Sequence, residues 1–185
     1  MANVSKGDDY IDSRDVITLV DELTNDREIC KDSVDGAQEA LGEAQTAYDE
    51  AKEALDLLSF NDDREEAQKA YDEAQSALEV AQTDYDNAKA DLEEWDDSED
   101  AEQLKDLTEL CELCENEGDW SYGVTLVHES AFEDHAKQEA EDCGLLENCN
   151  KWPANCIDWE QAADELKADY TVIEWGDETY YMRAC

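Results

Sequence analysis

The chain has 185 residues, of which 54 are acidic and 13 basic, for a formal net charge of −41. Charged residues make up 36% of it, against about 25% in an ordinary soluble domain, and the excess is all Asp and Glu. Repulsion therefore excludes nucleic acid and anionic membrane as direct partners and points to a basic one. Five Trp, eight Tyr and regular apolar spacing argue against wholesale disorder, while a hydrophobic content of 41%, much of it Ala, allows one modest core.

Met1 to Tyr10 contains no apolar stretch, and the longest largely aliphatic run, Val16 to Val20, falls far short of the roughly 20 residues a membrane span needs. The expectation is no membrane partner and a location in the cytoplasm of the expressing cell. Seven cysteines, at 30, 111, 114, 143, 149, 156 and 185, are an odd number at uneven spacing and favour thiols over a disulfide framework.

A heptad repeat organises the first half. Ala44-Gln45-Thr46-Ala47-Tyr48-Asp49-Glu50 aligns with Ala67-Gln68-Lys69-Ala70-Tyr71-Asp72-Glu73 and with Ala81-Gln82-Thr83-Asp84-Tyr85-Asp86-Asn87. With the first Ala as position a, that column reads Val16, Leu23, Cys30, Ala37, Ala44, Ala51, Leu58, then Ala67, Ala74, Ala81, Ala88, Trp95. Position d is mostly Ala (40, 47, 54, 70, 77) and position e alternates Leu and Tyr, which predicts a narrow Ala/Leu/Tyr seam of a, d and e positions that lets two backbones approach closely. The phase slips by two residues at Ser59-Phe60-Asn61-Asp62-Asp63, where Asn and Asp offer turn and cap chemistry. Residues 13–58 and 62–95 therefore read as an antiparallel helical hairpin, with an arm from about residue 33 to 94 projecting roughly 40 to 50 Å at about 1.5 Å per residue. Gly36 and Gly42 weaken the first helix, but the unbroken phase from Val16 to Leu58 favours one continuous helix.

Ser98 can cap a third helix that carries Leu104, Leu107, Cys111 and Cys114 on one face and finishes near Gly118. Asp119 to Val127 has the texture of a short strand. Ser130-x-x-Glu133 reads as a capping box for a helix with Phe132, Ala136, Ala140 and Cys143 inward, stopped by Gly144. A loop over 145–156 holds the single proline, Pro153, and Asp158-x-x-Gln161 opens a helix to about Ala168. Alternation over 170–175 and 179–183 about Gly176-Asp177 predicts a hairpin pairing Ile173 with Tyr180 and Val172 with Tyr181. The fold class is thus α+β, mainly helical, divided into an N-terminal segment 1–12, a coiled-coil hairpin 13–98 and a small α+β domain 99–185.

Residues 32–98 hold 22 acidic and 4 basic residues, net −18, which leaves −23 on the remaining 118. The arm carboxylates are ordered: position f reads Asp49, Asp56, Asp72, Glu79, Asp86 and Glu93, with Glu43, Glu50, Glu73 and Glu94 beside them at g. Each column repeats every ~10.5 Å of helix. Along an arm of ~45 Å, net −18 is one charge per ~2.5 Å, approaching the one per ~1.7 Å of duplex DNA. Like charges on neighbouring turns cost a few tenths of a kcal/mol per pair, so this order opposes folding and asks for another cause. A DNA mimic supplies one, with carboxylates standing where phosphates sit in a Lys/Arg groove. A solvated coiled-coil face, or adaptation to a salty cytoplasm, is the blander reading of the same charge.

Asp9-Tyr10-Ile11-Asp12-Ser13-Arg14-Asp15-Val16-Ile17, Asp119-Trp120-Ser121-Tyr122-Gly123, Trp152-Pro153-Ala154-Asn155-Cys156-Ile157-Asp158-Trp159-Glu160 and Ala162-Ala163-Asp164-Glu165-Leu166-Lys167-Ala168-Asp169-Tyr170-Thr171 together resemble a group of small acidic bacteriophage proteins of unassigned function. The resemblance spans residues 8–31 and 99–185 and leaves out the arm, which reads as an insertion. It implies phage origin and expression in host cytoplasm, and carries no catalytic or binding residues. To the DNA mimics with which phages block restriction and CRISPR systems, the chain is similar in charge only.

Other chemistry is thinly supported. Cys111-x-x-Cys114, with Cys143, Cys149 and Cys156, has metal-like spacing, yet 111 and 114 fall on an apolar helix face where Cys acts as a small hydrophobe. His128 and His135, seven apart, lack a companion ligand set, and the loop from Asp96 has Ala101 where a calcium loop needs Gly. Trp152, Trp159, Trp175, Tyr180 and Tyr181 suit a core better than a partner patch. No enzyme activity and no cofactor are expected. The reading is an acidic inhibitor that covers the DNA-binding surface of a basic host protein through Glu43, Asp49, Glu50, Asp56, Asp72, Glu73, Glu79, Asp86, Glu93 and Glu94. The alternative is a structural or assembly protein whose arm forms a homodimer through its Ala/Leu/Tyr seam while the charge only keeps it soluble.

Overall fold

A computed structural model of the chain describes residues 4–58, 63–116, 118–146 and 156–183. The fold is α+β and mainly helical, with long helices α1 (Ser13–Leu57) and α2 (Asp63–Asp96) packed on each other, α3 (Glu99–Cys114), α4 (Phe132–Asp142) and α5 (Trp159–Lys167). Strands β1 (Tyr10–Asp12), β2 (Thr125–His128), β3 (Thr171–Trp175) and β4 (Glu178–Met182) form one antiparallel sheet in the order β1-β2-β4-β3. Two compact units result, one of residues 1–22 with 103–185 and one of residues 23–102. The expected turn over 59–62, the expected loop position of Pro153, and Cys149, Trp152 and Cys185 lie outside the described residues.

In the second unit, α1 runs through Gly36 and Gly42 without a break, as its continuous phase implies. Ala, Leu, Gln, Glu and Lys make up most of α2, and no Pro interrupts either long helix. Arg27 faces Asp96 in a two-pronged ion pair of 2.8 and 3.5 Å, and Tyr48 meets Tyr71 hydroxyl to hydroxyl at 2.9 Å, which sets the antiparallel register. The residues turned inward are those at a and e: Ala37, Leu41, Ala44, Tyr48, Ala51 and Leu55 on α1 are half-buried, and on α2 Ala81 and Ala88 are buried. Of the expected a, d and e seam, the a and e positions turn inward and the d positions are corrected, because Ala40, Ala47, Ala54, Ala70 and Ala77 are exposed. With Ala at both a and d, the large side chains at e decide which stripe turns inward, since Leu and Tyr bury far more area than a methyl group. At the end of α2, the Ser98 hydroxyl donates to the Trp95 carbonyl (2.6 Å) and accepts from the Ala101 N–H (3.2 Å), closing one helix and capping the next.

In the first unit, strand alternation places Tyr10, Val127, Tyr181 and Val172 in one cross-strand row. On that face Val127 and Tyr181 cluster with Phe132 and Ala136 of α4 and Ala163 of α5. The opposite face carries Ile11, Leu126, Met182, Tyr180, Ile173 and Trp175, all buried. Val16 and Leu19 of α1 and Leu107, Leu110 and Cys114 of α3 are buried too, and the Trp175 indole N–H donates to the Asp106 carbonyl at 2.9 Å. The C-terminal hairpin has the expected register, with Ile173 opposite Tyr180, Val172 opposite Tyr181, and Gly176 at φ +63° in the turn. Asp158 caps α5 through the Gln161 N–H as its motif implies.

Several local expectations are corrected. Asp119 to Val127 is not one strand: a 3-10 turn at Trp120–Tyr122 precedes β2, and α3 stops at Cys114 rather than near Gly118. Ser130 does not cap α4, since a 3-10 turn at Glu129–Ala131 intervenes and the His128 ring accepts the Ser130 N–H. Cys143 is exposed, lying past the end of α4 rather than on its inner face.

Ser13 ties the start of α1 to this unit. Its hydroxyl is fully buried, donates to the Trp120 carbonyl (2.7 Å) and accepts from the Val124 N–H (2.9 Å), while its own N–H donates to the Val124 carbonyl (2.9 Å). Ser13→Ala orphans a buried carbonyl and a part-buried N–H, and is expected to destabilise the protein by roughly 1–3 kcal/mol. Urea denaturation checks this; an unmoved midpoint would contradict the role given to the hydroxyl.

Candidate functional site

The ten arm carboxylates singled out from the heptad are all exposed, and among the described residues only Glu73 is ion-paired, with Lys69 at 3.6 Å. They do not form one surface. At 100° per residue, positions b and f lie to one side of the a/e seam and d and g to the other, and in an antiparallel pair the matching sides of both helices face the same way. One groove confirms the second flank: Ala40, Glu43 and Ala47 of α1 and Ala77, Val80 and Asp84 of α2 line it together. The structure thus brings Asp49, Asp56, Asp72, Glu79, Asp86 and Glu93 onto one flank and turns Glu43, Glu50, Glu73 and Glu94 to the other.

The f flank has a feature that charge counting misses. Gln45, Gln68, Gln75 and Gln82, each one helical turn ahead at position b, donate their side-chain N–H groups to Asp49 (3.2 Å), Asp72 (2.8 Å), Glu79 (3.3 Å) and Asp86 (3.0 Å). Lys52 and Lys89 occupy the same position ahead of Asp56 and Glu93. A helix that sought stability would place Lys or Arg at every such position, gaining about 0.3–0.5 kcal/mol per pair. Gln restrains a carboxylate without cancelling its charge. The signal was present in the sequence as the repeated Ala-Gln-x-x-x-Asp, but it is visible only when the b-to-f spacing is read as a hydrogen bond rather than as a charge pattern.

The d/g flank is different in kind. Ala37, Ala40, Ala44 and Ala47 face Ser76, Ala77, Val80 and Ala81 across a shallow groove of about 840 Å³, rimmed by Glu43 and Asp84. Val80 is 60% exposed there.

No group of three or more Cys, His, Asp or Glu with metal-holding geometry occurs among the described residues. Cys111 is half-buried and its thiol is pushed up by burial, while Cys114 is fully buried in α3, consistent with apolar roles. His128 and His135 do not share a helix: His128 ends β2, and His135 lies on α4 with Nε2 2.8 Å from the Tyr170 hydroxyl. Burial holds His135 below its ordinary value of 6.5, with Glu139 opposing that shift and Arg183 adding to it. Trp175, Tyr180 and Tyr181 are core residues, and no helix among the described residues is long and apolar enough to cross a membrane. Comparison with family models, curated proteins and solved structures finds no match.

Unscreened repulsion across these flanks predicts a salt response. Raising ionic strength shortens the Debye length from about 30 Å at 0.01 M to about 3 Å at 1 M, so the thermal midpoint should rise across that range. A variant with Gln75→Lys and Gln82→Lys should start higher and rise less. A midpoint that falls with salt would mean that charge attraction, not the apolar seam, holds the arm together.

Proposed function

We propose that the protein is an acidic DNA mimic, of phage origin and acting in the host cytoplasm, that inhibits a basic DNA-binding host protein of a defence, restriction or CRISPR type by occupying its DNA-binding surface. The observation that carries this reading is the f flank: six exposed carboxylates from two helices on one side, four of them held by neutral Gln donors that leave the charge intact. Such a surface offers what a Lys/Arg groove binds in DNA, which is ordered negative charge at short intervals with counterions to release. Steering by a net charge of −41 raises the association rate with a basic partner. Each carboxylate is worth about 0.5–1.5 kcal/mol and is individually expendable, because the energy is spread along the flank.

A second reading rests on the other flank. The alanine-lined groove from Ala37 to Asp84, with Val80 exposed, suits an assembly protein whose arm packs on a second copy while the carboxylates keep it soluble.

A pull-down from nuclease-treated host lysate, eluted in parallel with a salt gradient and with duplex DNA, separates the two. Mimicry predicts recovery of one basic DNA-binding protein released by both eluents. Recovery of the protein alone, or of partners indifferent to salt and DNA, contradicts mimicry. Assembly predicts self-association that resists salt and is lost when Ala47 or Ala77 is replaced by Trp, read by sedimentation velocity.

A further inference from the structure

His128, Ser130 and Glu178 form a relay in the unit of residues 1–22 and 103–185 that the inhibitor reading does not use. His128 closes β2 with its ring edge-on to Tyr180, centroids 5.1 Å apart. Its Nε2 lies 2.8 Å from Glu178 Oε2, and its Nδ1 lies 2.7 Å from Ser130 Oγ and 3.2 Å from the Ser130 backbone nitrogen. A carboxylate can only accept, so Nε2 carries the ring proton, and in the neutral ring Nδ1 is left as an acceptor. The Ser130 N–H already points at Nδ1, which agrees with that tautomer and accounts for the ring as a cap. The hydroxyl contact at 2.7 Å is not needed by a cap.

The ring side chain is 13% exposed, fixed by Glu178 on one nitrogen and packed on Tyr180, whereas Ser130 is open to solvent. This is a nucleophile in contact with a base whose far side is oriented by an acid. The order of the ring nitrogens is the reverse of the common serine-hydrolase arrangement, but either nitrogen of a neutral imidazole can serve as base. The geometry points to Ser130 as an activated nucleophile that takes an acyl group from small esters, with His128 as its base and Glu178 as the positioning residue. Ser130 Oγ attacks the ester carbonyl carbon as its proton passes to Nδ1. The bond to the leaving alkoxide then breaks, that oxygen takes the proton from Nδ1, and the products are acyl-Ser130 and an alcohol. Water, deprotonated by the same Nδ1, later releases the acid and restores the serine. Asp9, whose Oδ1 is 3.5 Å from Ser130 Oγ, and Glu178 surround the site with negative charge, so neutral or cationic esters fit and anionic ones do not.

General-base assistance of this kind is worth roughly 10²- to 10⁴-fold in rate. The test incubates the full chain with p-nitrophenyl acetate, quenches time points in acid and maps acetylated serines by peptide mass spectrometry. Ser130 is expected to be acetylated at least about tenfold faster than Ser121, an exposed serine of the same unit that serves as internal reference. His128→Gln should bring Ser130 down to the Ser121 rate while leaving Ser121 unchanged. Glu178→Ala should slow Ser130, and Glu178→Gln, whose side-chain oxygen still accepts from Nε2–H, should restore most of the rate. Acetylation of Ser130 at the Ser121 rate in the unaltered protein, or a Ser130 rate indifferent to His128→Gln, overturns the assignment.

Discussion

The arm depends on one constraint: two helices that carry most of a net −18 between residues 32 and 98 must be held together by a seam made of Ala, Leu and Tyr. That seam has little to spare. An Ala buries a single methyl group, worth about 0.8 kcal/mol per carbon, so each heptad relies on its e-position Leu or Tyr and on a few polar clasps. Arg27–Asp96, reinforced by the guanidinium over the Trp95 ring at 6.0 Å, is one clasp, and the paired hydroxyls of Tyr48 and Tyr71 are another. Against these stand like charges repeated about every second turn along the f column, with further carboxylates on the other flank. A chain selected only for a stable hairpin would have relieved them.

The Gln residues show how the conflict is arranged. Placed one turn ahead of a carboxylate, Gln reduces the freedom of the acidic side chain and stabilises the helix slightly through a hydrogen bond. It leaves the full charge facing outward. Lys at the same positions would hold the carboxylate and also cancel its charge. The division of the flanks follows from the same heptad. Position f, beside the Gln, carries a carboxylate at six repeats, while position d, on the other side of the seam, carries mostly Ala and opens a groove. One repeat thus produces an ordered anionic flank and, on the other side of the same hairpin, an alanine-lined groove rimmed by carboxylates.

Much of this was legible in the sequence because local signals agreed with the fold. The unbroken heptad phase specified a continuous first helix despite Gly36 and Gly42, and Gly176 with flanking alternation specified the β3–β4 register. Ambiguity arose where two patterns were equally apolar: Ala occupies both a and d, so binary patterning alone could not choose the buried stripe, and the bulk at position e made the choice. β1, of only three residues, is too short to show alternation and is held by pairing with β2 from a distant part of the chain. The His128 cap was illegible for a related reason. Ser130-x-x-Glu133 satisfies the capping pattern, but the ring of His128, positioned by Glu178 on β4, reaches the Ser130 N–H first.

The central claim is that the f flank, and not total charge, carries binding. The most direct measurement is the slope of log affinity against log salt concentration for the captured partner, compared between two variants of nearly equal charge. One replaces Asp49, Asp72, Glu79 and Asp86 by their amides, and the other replaces Glu43, Glu50, Glu73 and Glu94 by theirs, so that each removes the same four negative charges. The account predicts that the first variant flattens the slope and loses competition with duplex DNA, while the second keeps both. Equal losses in the two variants would show that undirected charge suffices and would contradict the account.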